Sequence, residues 1–344
     1  MNSPFSQYND FTIVSNDLTG RSGFTLTSIM RNEIFYLPAF LEHYRKLGVA
    51  RFIILDDRSE DGSREYLAAQ PDVMVLASHR RFADRVPPLP GYAGRLADDR
   101  ANLVWRTLLA AAYTTGQWSI YADADEFIRL PEGMSVADLL PALDREGIGS
   151  VWGVMLDMYP RAIGDLRGAI HEKHLNPQAE WYFDGEPHLI LRSGKPPRTV
   201  YPGSRARLAE QFHSIPSENW FTTLKRRRFG LRTPKLNVIR KPTLIKWQYD
   251  AFFQSPHDVS LTASMKFLLP IEHYKFTGAL YARTQAALKD GSHFAGSRDY
   301  IVIAALLDKM SEANGAFLYA RSALAKNYSE FERTGNAGCD SVLW

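Results

Sequence analysis

Between residues 24 and 78, apolar β-branched runs alternate with segments of helical periodicity, and this alternation leaves few folds open. "FTLTSIM" (24–30) reads as a short buried strand, stopped by the polar Arg31–Asn32–Glu33. In "YLPAFLEHYRKLGV" (36–49) Leu37, Phe40, Leu41, Tyr44 and Leu47 recur at helical spacing, and Gly48 is the stop. "RFIILDD" (51–57) is a second strand that runs into two aspartates. "SEDGSREYLAAQP" is a turn followed by a short helix, and "VMVLAS" (73–78) is a third strand. A βαβαβ order with helical crossovers requires parallel strands and helices on the sheet faces. The expectation is an α/β protein with a mostly parallel sheet.

The rhythm persists to about residue 160. "RANLVWRTLLAAAYTTG" (100–116) reads as a helix, "WSIYADADEF" as a fourth strand, "SVADLLPALDREG" as a helix and "SVWGVMLDMY" (150–159) as a further strand. Residues 1–23 read as a loose leader. From 161 onward Pro, Gly, His and Arg interrupt the pattern, and helical composition returns over 275–330. With 344 residues, 45 % of them hydrophobic and 23 % charged, the chain can bury one sizeable core. A net charge of +3 is too small to point to nucleic acid. The single cysteine, Cys339, excludes an intramolecular disulfide framework and a cysteine-rich zinc site. No secretory signal is visible, and no apolar run reaches the roughly 18–20 residues of a membrane span. A cytoplasmic protein is expected.

Three of these strands end in polar clusters: Arg31–Asn32–Glu33, Asp56–Asp57, and Asp123–Asp125–Glu126. Ligands of open α/β sheets bind beyond the carboxyl ends of the strands, so the three should converge on one crevice. So much negative charge at buried strand ends calls for a cation or a positively charged region of the protein. Hard oxygen donors suit Mg²⁺ or Mn²⁺, held by one or two carboxylates together with substrate phosphates. In an extended segment Asp123 and Asp125 would point to one side and Glu126 to the other.

"SIMRNEIFYLPAFLEHYRKLGVARFIILDDRSEDGS" resembles the opening of family-2-like glycosyltransferases of the GT-A fold, in the bacterial branch akin to family 92. "WSIYADADEFI" resembles the metal motif of that branch, and "YFDGEP" (182–187), "KPTLIKWQYDAFFQSPHDV" (241–259), "EHYKF" (272–276) and "GSRDY" (296–300) are similar to its later segments. The resemblance implies a GT-A sheet whose first half, 24–160, binds a nucleotide-diphosphate sugar. Residues 161–344 would then hold the acceptor region and C-terminal helices of the same catalytic domain. It implies a metal shell drawn from Asp123, Asp125 and a late histidine, His273 or His257. Arg31, Glu33, Asp56, Asp57, Asp123 and Lys275 would hold the donor, a UDP-sugar before a GDP-sugar. Where many relatives have one aspartate followed by Asn, this chain has Asp56–Asp57–Arg58, which leaves open which aspartate reads the nucleotide.

For an inverting transfer to a glycan or lipid-linked acceptor, the candidate bases are Asp184, Glu186 and Asp258. The basic run Lys225–Arg226–Arg227–Arg228 is either a contact for an acidic acceptor or the inner membrane surface, or a solvated face. Two other classes stay open: a nucleotidyltransferase, and a glycan-binding protein that keeps the fold without catalysis.

Overall fold

The computed structural model describes residues 10–86, 100–214, 238–290 and 294–338, with backbone only at 290 and 294–299. The basic run at 225–228, Cys339 and most of "GSRDY" lie outside the residues whose side chains are described. The first part of the chain forms β1 (Thr12–Ser15), β2 (Thr25–Met30), α1 (Leu37–Lys46), β3 (Arg51–Asp56), α2 (Ser63–Ala68) and β4 (Val73–Ala77). It continues with α3 (Ala101–Tyr113), β5 (Trp118–Tyr121), β6 (Glu126–Ile128), α4 (Val136–Glu146) and β7 (Ser150–Asp157). The second part forms α5 (Ile163–Gly168), β8 (Tyr182–Asp184), β9 (Leu189–Arg192), β10 (Lys195–Thr199), α6 (Ser204–Gln211) and β11 (Arg240–Lys246). β12 (Phe253–Ser255), β13 (Asp258–Val259), β14 (Ala263–His273), α7 (Ala279–Asp290), α8 (Phe294–Glu312), β15 (Ser322–Leu324) and α9 (Tyr328–Arg333) complete it.

Nine strands make one sheet in the order β1-β4-β3-β2-β5-β11-β7-β14-β6. β4, β3, β2 and β5 run parallel, as helical crossovers require, and β14 lies parallel to β7. The pairings of β1, β11 and β6 are antiparallel, so the sheet is mixed. Two features depart from the sequence reading. The leader supplies an edge strand, β1, which pairs with β4. The irregular second half sends β11 and β14 into the middle of the sheet, so residues 24–160 do not close a sheet by themselves.

Side-chain alternation along the strands builds two core layers. Phe52 and Ile54 of β3 pack with Phe40, Leu41 and Tyr44 of α1 and with Leu139 and Leu143 of α4. Ile53 and Leu55 face the other way, onto Leu103, Trp105 and Leu109 of α3. A third cluster joins Tyr159, Ile163 and Leu208 to Leu306, Met310 and Phe317 beyond the sheet. Helix α1 starts with a proline in its first turn and stops before Gly48, whose φ of 95° suits glycine alone. No helix among the described residues is long and apolar enough to cross a membrane.

Gly153 lies in β7 between β11 and β14. A Cβ there would stand 2.3 Å from Thr243 Cγ2 and 2.7 Å from Ile271 Cδ1, both branched residues of neighbouring strands. Gly153→Ala should therefore lower unfolding free energy by about 1–3 kcal/mol, the usual cost of overpacking. Urea titration of the variant against the parent checks this.

Candidate active site

The ends of β2 and β3 are tied to each other before any ligand is considered. Asn32 N–H donates to Ser59 Oγ (2.9 Å) and Asn32 Oδ1 accepts from Glu60 N–H (2.8 Å). Glu33 N–H donates to Ser63 Oγ (2.8 Å), and Ile34 N–H to Asp61 Oδ2 (3.1 Å). Asn32 and Arg58 hold φ of 57° and 59°, a left-handed conformation that asparagine accepts more readily than arginine. The Arg-Asn-Glu and Asp-x-Ser-x-Asp-Gly-Ser stretches are thus one interlocked corner.

Within it, Asp56 and Asp57 separate. Asp56 is buried and held by Arg64 (2.6 and 2.7 Å) and the Ser59 N–H. Among the described residues Asp57 accepts only the Phe82 N–H (3.2 Å), and its buried Oδ1 has no hydrogen-bond partner there. Burial pushes its pKa up, against the nearby charges of Arg31 and Arg58. Asp57 is therefore the aspartate equipped to receive a hydrogen bond from a ligand, and Asp56 is structural.

The segment from Asp123 to Glu126 is a turn between β5 and β6, not an extended strand, which overturns the expected same-side arrangement. Asp123 Oδ2 accepts from Lys241 Nζ at 2.8 Å, and Lys241 also binds Glu126, whose Oε2 takes the Asp123 N–H (3.0 Å). Arg106 lies 3.4 Å from Asp123 Oδ1 and packs over the Tyr121 ring (4.3 Å). Burial would raise Asp123; Arg106 and then Lys241 outweigh it and hold the carboxylate ionised. The register of β11 on β5, with Leu244 opposite Ile120 and Ile245 opposite Ser119, brings Lys241 level with Asp123 when continued.

Asp125 faces a different set of partners. Its Oδ2 is 3.6 Å from His273 Nε2 and 3.2 Å from Arg283 Nη1. His273 Nδ1 is 2.6 Å from Asp157 Oδ1, and Asp157 Oδ2 is held by Arg205 (2.9 Å) and Ser204 (3.2 Å). A histidine anchored on a carboxylate through Nδ1 presents Nε2 as a lone pair, the arrangement found behind metal-bound histidines. The separation of 3.6 Å is wider than a hydrogen bond and leaves room for a cation between the two atoms. By donor chemistry the pair fits Mn²⁺ or Mg²⁺ completed by phosphate oxygens.

The full shell of Asp123, Asp125 and a late histidine is not assembled. Among the described residues no group of three or more His, Cys, Asp or Glu side chains is placed to hold a metal. Asp123 is taken by Lys241. His257 sits within the fields of Lys241 and Arg106, its Nδ1 on the Arg240 carbonyl (3.1 Å), and burial drives its pKa down to about 3. Lys275 follows the end of β14, 5.1 Å from the Tyr300 ring centroid, and its charge acts on Glu33 and Asp125. Arg31 stands beside Asp57, where its charge is felt. Glu33 Oε1 is 3.1 Å from Arg283.

The candidate bases differ sharply. Asp184 is buried and accepts from Tyr159 (2.7 Å), Tyr201 (2.6 Å) and Arg207 (2.8 and 3.0 Å), which leaves it a structural anchor rather than a base. Asp258 is bound in two-pronged fashion by Arg240 (2.9 and 3.1 Å) and by Ser255 (3.0 Å), and is engaged in the same way. Glu186 is half-buried, accepts from the Tyr319 hydroxyl and has Arg321 only at 3.8 Å.

Five residues escaped the sequence reading. Asp157 ends a strand, as the other acidic clusters do, and the same rule would have found it. Arg106 is a lone charge on an otherwise apolar helix, and Lys241 opens an apolar run; each is a visible anomaly. Arg205 and Arg283 carry no local signal. No protein-family model matches this chain, and no curated protein matches it either.

Two predictions follow from these pairings. Asp184→Asn should cost about 3–5 kcal/mol, because it leaves Arg207 buried without its counter-charge; thermal and urea unfolding measure this, and a fully stable variant would speak against the anchor. The second concerns pH in the metal-free protein. Burial would raise Asp157, but Arg205 and His273 hold it below the ordinary range; burial would lower His273, but Asp125 and Asp157 raise it. The aspartate's contribution is present above its unfolded pKa and lost as pH falls through the depressed folded value. The histidine's is present below its unfolded pKa and lost as pH rises through the raised one. The stability gap between parent and His273→Ala should be widest between about pH 4 and about pH 6.5 and narrow on both sides.

Proposed function

We propose that this chain is a metal-dependent glycosyltransferase of the GT-A type, moving a sugar from a nucleotide-diphosphate donor to a glycan or lipid-linked acceptor. Synthesis of a cell-surface polysaccharide or glycoconjugate is the setting that such an acceptor suggests. The observation that carries the reading is Asp125 facing His273 Nε2 at 3.6 Å, with Asp157 behind the histidine, at the carboxyl end of an α/β sheet. Asp57, with its unpartnered Oδ1, is the group for the nucleoside, and Lys275 contributes positive charge toward the phosphates. A UDP-sugar is the favoured donor and a GDP-sugar the second choice.

A divalent cation at Asp125 and His273 supplies Lewis-acid stabilisation of the diphosphate leaving group. In an inverting transfer the acceptor oxygen bonds to the anomeric carbon while the bond from that carbon to the diphosphate oxygen breaks, its electron pair leaving with the phosphate. Glu186 takes the acceptor's proton in this scheme, as the candidate base with the least engaged carboxylate. Asp123, locked to Lys241, keeps the turn in shape and presents its remaining lone pairs to the donor.

A nucleotidyltransferase of similar build would carry a glycine-rich basic loop after β2; here that position reads "RNEIFYLP". A non-catalytic glycan-binding protein has no need of a buried Asp–His–Asp arrangement.

Calorimetry with UDP and Mn²⁺ tests the reading. Asp125→Asn should fold and lose Mn²⁺-dependent nucleotide binding; a folded variant that binds UDP and Mn²⁺ like the parent would sink the assignment. Asp57→Ala should weaken UDP by about 1–3 kcal/mol, the range for a lost hydrogen bond to a charged group. Glu186→Gln should leave UDP affinity unchanged while slowing transfer about 10²–10⁴-fold.

A further inference from the structure

Arg283 reaches the site from α7, more than a hundred residues after the carboxylates it meets. Its Nη1 is 3.2 Å from Asp125 Oδ2 and its Nη2 is 3.1 Å from Glu33 Oε1, while the guanidinium lies over the Tyr36 ring, 5.1 Å from the centroid. Asp125 Oδ2 is the same oxygen that faces His273. A divalent cation held by Asp125 and His273 would have to share that oxygen with a guanidinium of like sign. The side chain of Arg283 is a quarter exposed.

We propose that Arg283 and the divalent cation compete for Asp125, and that on cation entry Arg283 passes from Asp125 to the diphosphate of the donor. The inference rests on the proposed function and adds the residue that grips the leaving group. Three observations support it. A guanidinium forms two parallel hydrogen bonds to phosphate as readily as to carboxylate, so the exchange costs no geometry. Tyr36 and Glu33 stay beneath and beside the group, which confines its movement to the site. Asp125 is one of the two carboxylates that answer the charge of Arg283, Glu33 being the other. Once Asp125 is shared with a cation, the guanidinium has positive charge to spare for the phosphates.

The experiment is calorimetry of Mn²⁺ alone, then of UDP at saturating Mn²⁺, on the parent, Arg283→Gln and Arg283→Lys, with melting curves to verify folding. Arg283→Gln should bind Mn²⁺ about tenfold more tightly in the absence of nucleotide and bind UDP about tenfold more weakly, the loss of one charge-assisted contact. Arg283→Lys keeps the charge but not the fork, so its Mn²⁺ affinity should stay near the parent's while UDP affinity still falls. Absence of either change in a folded Arg283→Gln overturns the inference, and Arg283 is then a pin between α7 and the sheet. Should Arg283→Gln fail to fold, UDP affinity in Arg283→Lys equal to the parent's overturns it. A parent that binds no Mn²⁺, with or without UDP, overturns the proposed function and this inference together. Parent binding with unmoved variants overturns the inference alone.

Discussion

Lys241 is the charge on which the site is hung. The turn after β5 places the half-buried Asp123 beside the buried Glu126, and the two carboxylates repel each other while the inner one loses its hydration. Lys241, 2 % exposed, answers both at once, and Arg106 adds a second positive group from α3. Paired in this way, buried charges are tolerable; removal of one partner would leave the rest uncompensated. The turn in turn sets where Asp125 stands, because Asp125 and Asp123 are separated by a single residue. The Tyr274 N–H donates to the Asp125 carbonyl (2.8 Å), which holds the turn against the end of β14.

The sheet order is what delivers Lys241. β11 inserts between β5 and β7, antiparallel to both, and its pairing with β7 shifts register between Pro242 and Ile245. Proline has no N–H to give to a ladder, so its place inside a central strand goes with such an irregularity. The lysine immediately before it is thereby carried to the strand-end region where the carboxylates lie. Fold and site are coupled here: the strand that completes the sheet also neutralises the acidic turn.

Two sets of acidic groups, around Asp157 and around Asp184, are joined by one helix. α6 sends Arg205 to Asp157, behind His273, and Arg207 to Asp184, which also takes the hydroxyls of Tyr159 and Tyr201. The first gathers Asp125, Asp157, His273, Arg205 and Arg283. The second is rich in tyrosine, with Tyr201 and Tyr319 near Glu186, and offers rings and hydroxyls of the kind that contact sugars.

The alternation of strands and helices up to residue 157 was legible in the amino-acid sequence because each element is specified locally, by side-chain period and by turn residues such as Gly48. The convergence of strand ends was legible for the same reason: parallel strands put their carboxyl ends on one side. Sequence also singled out His273 alongside His257, and Asp57 alongside Asp56, without separating either pair. Those choices depended on partners far away in the chain: Arg64 occupies Asp56, Asp157 orients His273, and the Lys241–Arg106 field surrounds His257. The turn at Asp123–Glu126 is not legible in sequence, because a run of apolar residues looks the same whether the strand continues or breaks. How far Asp184 and Asp258 are engaged is not legible in sequence, because a carboxylate's engagement is a property of its neighbours. Arg283, 158 residues beyond Asp125, shows the limit. Local pattern determines which elements form, but which charges meet is decided only when long-range packing brings them within reach of one another.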